Sequence, residues 1–99
     1  YRVKNANQLN KKKFPNSNIY LIKIENSCFY KIGVSQNTNR RIRDISSSMP
    51  FNIIVVIDKK VKDAYSLENE LHIMFKKKYI KSEWFELTET DINVIKSLC

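Results

Sequence analysis

The chain has 99 residues, 42% of them hydrophobic, and a net charge of +8 from 18 Lys and Arg against 10 Asp and Glu. That length holds one domain with a thin core. No apolar run approaches the roughly 18 residues of a membrane span, so an intracellular domain is expected, cytoplasmic by default or nuclear in a eukaryotic host, with no membrane partner. Gly33 is the only glycine, His72 the only histidine, and Cys28 and Cys99 lie far apart; glycine-rich nucleotide-binding loops and structural zinc sites are thereby excluded, and both cysteines are expected as free thiols.

The positive charge is uneven: residues 1–43 carry ten Lys and Arg against one acid, and 44–99 carry eight against nine. Such asymmetry suits a polyanion partner, most often nucleic acid, and on charge alone it suits a solubilising surface as well. Residues 1–17, with Lys11, Lys12 and Lys13 ahead of Phe14 and Pro15, have no sustained period and read as a basic N-terminal arm. The domain proper is expected over 18–99.

"NIYLIKI" (18–24) and "FYKIGVS" (29–35) are rich in β-branched and aromatic residues and are joined by the short polar "ENSC", which predicts a hairpin turning at Asn26 and Ser27. That turn pairs Tyr20 with Gly33 and Ile22 with Lys31, so Tyr20, Lys31 and Gly33 share one face. A glycine inside a strand marks a bulge, a bend or a close approach, and here the expected visitor is a phosphate. Thr38, Ile42, Ile45 and Met49 recur at helical spacing before Pro50; Arg41 falls at the edge of that stripe, leaning toward the sheet, while Arg40 and Arg43 point away. "FNIIVVID" (51–58) is nearly all apolar and predicts a central strand buried on both faces. A helix is expected over 61–78, with Ala64, Leu67, Leu71, Met74 and Phe75 on one stripe, Glu68 and Glu70 on its opposite edges, and His72 one turn from Glu68. Trp84 and Phe85 in "SEWFEL" are expected core anchors, and Thr88-x-x-Asp91 predicts the start of a last helix. The order ββαβαα gives an α+β fold: a small antiparallel sheet of about three strands flanked by helices.

"NIYLIKI", then "YKIGVS", an arginine six residues beyond that serine, "LENELHIMF" and "EWFEL" together resemble the GIY-YIG nuclease superfamily, in the branch found in phages and large DNA viruses. The resemblance covers about residues 18–95. It implies an endonuclease acting on DNA with one divalent ion, Mg²⁺ or Mn²⁺. Tyr20 is then the general base or water-orienting tyrosine, Gly33 the motif glycine that lets the strand approach phosphate, Arg41 the arginine on the scissile phosphate, and Glu68, not Glu70, the metal ligand. Asn18 stands where the first motif has glycine and Lys31 where the second has tyrosine. An ammonium beside Tyr20 favours phenolate, which makes Lys31 a candidate activator. His72 is a candidate for holding phosphate or water and equally for packing. Arg40, Arg43 and the lysine runs 11–13 and 76–78 are expected to meet DNA backbone without reading sequence. The alternative, from another class, is a nucleic-acid-binding module of the same fold that does not cleave.

Overall fold

The computed structural model describes residues 17–99; the expected basic arm, with Lys11, Lys12 and Lys13, lies outside the described residues except for Ser17, which is buried. The predicted hairpin is β1 (Asn18–Ile24) and β2 (Phe29–Ser35). At its turn Asn26 has φ 61°, a left-handed conformation that asparagine adopts more readily than most residues. The Ser27 hydroxyl fixes the turn, donating to the Ile24 carbonyl at 2.6 Å and accepting from the Phe29 amide at 3.1 Å. Tyr20 lies opposite Gly33 and Ile22 opposite Lys31, the register that the alternation predicts.

The fold is α+β; among the described residues it has a five-stranded antiparallel sheet in the order β3-β1-β2-β5-β4 and three α-helices: α1 (Thr38–Ser47), α2 (Ala64–Met74) and α3 (Glu89–Leu98). Two strands exceed expectation, β4 (Tyr79–Lys81) and β5 (Trp84–Glu86), each too short to display a period. The strand expected at the centre, β3 (Ile53–Lys60), is instead at the edge of the sheet among the described residues, where it pairs with β1. Its unbroken apolar run has a different cause. The pairing with β1 shifts by one residue between Leu21 and Ile22, so the alternation slips and both Val56 and Ile57 pack on the core, while Ile54 and Val55 are 42% and 48% exposed.

The helix expected over 61–78 is shorter because each end is stopped locally. The Asp63 side chain accepts from the Ser66 amide at 3.2 Å to start α2, and after Phe75 the chain tightens into a 3-10 turn over Lys76–Lys78. At α3 the predicted capping signal is a full capping box: Thr88 accepts from the Asp91 amide at 3.2 Å and Asp91 accepts from the Thr88 amide at 2.9 Å. Asp91 also pairs with Lys78 at 2.5 Å, tying the 3-10 turn to α3.

Ile19, Leu21, Tyr30 and Ile32 present one sheet face to Leu71 and Phe75 of α2, Phe85 of β5, and Ile92 and Ile95 of α3. By strand alternation Tyr20, Ile22, Lys31 and Gly33 lie on the opposite face. They too are buried, and that second buried face positions the site. Cys28 and Cys99 are free thiols.

Candidate active site

Tyr20 is almost wholly enclosed, 1% exposed. Its ring lies over Gly33, where an added Cβ would overlap the phenol hydroxyl and ring carbons. Gly33 is therefore not an opening for a phosphate, as the sequence suggested. The room that the missing side chain leaves is filled by the aromatic ring from the facing strand, and the glycine is itself buried. Gly33→Ala is accordingly expected to destabilise the fold by about 1–3 kcal/mol, the usual range for overpacking, and to push the Tyr20 hydroxyl out of place. Urea denaturation would measure the first effect; an unchanged midpoint would mean that Tyr20 can move aside freely.

The cation at the phenol is Arg41. Its Nε donates to the Tyr20 hydroxyl at 3.5 Å, so the stripe-edge arginine of α1 does lean onto the sheet. Burial pushes the Tyr20 pKa above the usual tyrosine value, more than the Arg41 hydrogen bond and charge pull it down; Glu83 and Glu68 add to the rise. The hydrogen bond to Tyr20, in turn, leads in raising the Arg41 pKa, so the guanidinium stays cationic. Arg40 and Arg43 are exposed on α1.

Lys31 does not play the part that its place on the strand suggests. The amine donates to the Ser82 carbonyl at 2.6 Å, lies 3.6 Å from a Glu83 carboxylate oxygen and sits 5.6 Å from the centre of the Trp84 ring. It is occupied by the β4–β5 turn, not by the phenol. Burial lowers its pKa, and the Glu83 charge opposes that fall.

Glu68 and Glu70, inseparable by helical geometry, differ in the folded chain. Glu70 is exposed, whereas Glu68 is partly buried, and its pKa rises from the ordinary 4.5 to about 7, through burial first and the Glu83 charge second, against the pull of Lys31. Tyr65, beside it on α2, has a raised pKa from burial and from Glu68. Tyr20 thus feels the charges of Arg41, Glu83 and Glu68, and Lys31 those of Glu83, Arg41 and Glu68, linking groups from β1, β2, α1, α2 and the β4–β5 turn in one electrostatic network.

His72 faces elsewhere. Its Nε2 lies 3.1 Å from the Ile32 carbonyl, which can only accept, so Nε2 carries the proton and pins α2 to β2. The ring also meets Phe85 edge-on at 5.0 Å. Packing is the role its contacts describe. Phe85 is a core anchor as expected, whereas Trp84 is only partly buried and turns its ring toward the Lys31 amine.

Glu83 escaped the sequence reading. Nothing in "SEWFEL" separates it from any other surface acid, and only the β4–β5 turn carries it to the site. Among the described residues no group of three or more His, Cys, Asp or Glu side chains converges to hold a metal, which disfavours zinc and other ions that demand several protein ligands. A hard divalent ion that keeps most of its waters needs one or two carboxylates, and the partly buried Glu68, with the Glu83 charge nearby, meets that requirement.

A protein-family model described as the T5orf172 domain matches residues 17–99. No curated protein and no solved structure matches the chain.

Proposed function

The chain belongs to the T5orf172 domain family, a nuclease-associated family whose members would act on DNA, and on that footing we propose that it is a metal-dependent endonuclease of GIY-YIG type that hydrolyses DNA phosphodiester bonds. The observation that supports this most is the convergence of two cations, two carboxylates and a phenol from five separate elements. Cations grip phosphate oxygens and carboxylates hold a divalent ion, and bringing both kinds of group to one place is what phosphodiester hydrolysis requires. Among the described residues no helix is long and apolar enough to cross a membrane.

In this reading Glu68 holds Mg²⁺ or Mn²⁺. The ion, when bound, supplies Lewis-acid stabilisation of the phosphate and lowers the pKa of a water. Arg41 spends its Nε on the Tyr20 hydroxyl, which leaves its two terminal nitrogens for non-bridging phosphate oxygens. Tyr20 is enclosed and its pKa is raised, so it is a neutral phenol at pH 7, and it works by aiming Arg41 instead of by taking a proton. Arg40 and Arg43 meet the neighbouring backbone, since both are exposed on the same helix as Arg41. The test is supercoiled plasmid with and without Mg²⁺. Nicking that EDTA abolishes is the expected result; salt-sensitive binding without nicking would leave a DNA-binding module of the same fold.

A further inference from the structure

Lys31 is a charge in an awkward place. It sits in the middle of a central strand, 6% exposed, where an unpartnered ammonium is strongly disfavoured. Its partners are three consecutive residues: the Ser82 carbonyl at 2.6 Å, the Glu83 carboxylate at 3.6 Å and the Trp84 ring at 5.6 Å. Ser82 and Glu83 form the turn between β4 and β5 and pay for their position in backbone strain, with φ 54° and φ 69°, and Trp84 opens β5. The turn is also tied to the strand that carries the lysine, because the Ile32 amide donates to the Glu83 carbonyl at 3.3 Å.

We infer that the Ser82–Glu83 turn, with Trp84 at the start of β5, is a socket that fixes the Lys31 ammonium at the cleavage centre, with Glu83 as the positioning residue and Lys31 as the group that meets a non-bridging oxygen of the DNA phosphate. An ammonium has three N–H donors. The Ser82 carbonyl accepts one of them and the Glu83 carboxylate holds the charge as an ion pair at 3.6 Å, which leaves donor capacity for an incoming anion. The Glu83 side chain is 39% exposed, so the socket opens toward solvent on that side. A compact amine with three rotatable donors suits such a socket; a planar guanidinium does not. The identity of the anion rests on the nuclease reading above, whereas the socket itself rests only on the contacts.

Two measurements test the inference, with melting temperatures recorded for every variant. In residue-resolved acylation of the wild type with an amine-selective reagent, read by peptide mass spectrometry, Lys31 should be among the slowest lysines to react. Glu83→Gln should raise its rate about tenfold, as expected for loss of the charged partner of a buried ammonium, and lower the melting temperature, with the other lysines unchanged. In plasmid nicking, Glu83→Gln should lower kcat at constant KM, Glu83→Asp should recover part of the loss, and Glu83→Gln should cost nothing further in a Lys31→Met background. Unchanged Lys31 labelling overturns the socket. A double variant slower than Lys31→Met by the full factor that Glu83→Gln costs alone also overturns the inference, assigning Glu83 to the metal instead. A wild type that labels as expected yet never nicks supports the socket and overturns the nuclease reading.

Discussion

Glu68→Gln is expected to abolish metal-dependent nicking and, at pH 8, to give a protein more stable than the wild type. The first effect follows from loss of the carboxylate that holds the ion; since a catalytic metal contributes several kcal/mol of transition-state stabilisation, the rate should fall at least about 10³-fold. The second follows from the pKa. Glu68 rises from 4.5 to about 7 on folding because of burial and the nearby Glu83 charge, so the folded chain holds this proton more tightly than the unfolded chain does. The stability it contributes is complete below pH 4.5 and is lost as pH climbs through about 7. An amide cannot ionise and escapes that loss. Thermal melts of both proteins at pH 5 and pH 8 in EDTA would read it: the wild type should lose more stability between the two than Glu68→Gln. Parallel curves would mean that the Glu68 carboxyl titrates as if it were in water. Glu70→Ala, at an exposed position of the same helix, should leave both stability and rate unchanged, and a dead Glu70→Ala would move the metal site to the other edge of α2.

The second large effect is expected at Arg41. Arg41→Ala should slow nicking roughly 10² to 10³-fold, the usual loss when a donor aimed at developing charge is removed. Arg40→Ala and Arg43→Ala should weaken DNA binding and flatten its salt dependence with little change in kcat. The distinction rests on one contact: only Arg41 reaches back to a buried acceptor, the Tyr20 hydroxyl at 3.5 Å. Tyr20→Phe should therefore cost less than Arg41→Ala, because it unfastens the guanidinium without deleting it. Single-turnover rates at saturating protein would separate binding from chemistry, and equal losses from all three arginine variants would remove the case for a privileged one.

Where the chain was legible, neighbouring residues carried the signal. The β1–β2 register came from two alternating runs and a four-residue polar connection. The reach of Arg41 came from its angle on a helix, and the α3 capping box from Thr88 and Asp91, three positions apart. What was missed depends on residues far apart in sequence. Strands of three residues show no alternation, so β4 and β5 left no mark, and Glu83, which reaches the site only through them, went with them. The β1–β3 pairing shift made an edge strand look like a central one. Gly33 is the more instructive case, because the strand register that pairs it with Tyr20 is itself legible. A strand glycine facing an aromatic residue has an occupant for its empty side, and no ligand is required to explain it.

Sequence separation also sets an order of assembly. The overlap of Tyr20 with Gly33 needs only a hairpin of closely spaced strands, whereas the bond from Lys31 to Ser82 joins residues 51 apart and that from His72 to Ile32 joins residues 40 apart. Short loops close early and long ones late, so the phenol is expected to be seated long before the lysine is captured. Pulsed hydrogen exchange during refolding should find β1–β2 amides protected ahead of the Ile32 amide, whose acceptor is Glu83; simultaneous protection would argue against staged closure. A nascent chain that has not yet delivered Ser82 and Glu83 would then hold the seated phenol without the turn that captures Lys31, so the two halves of the proposed site are built at different times.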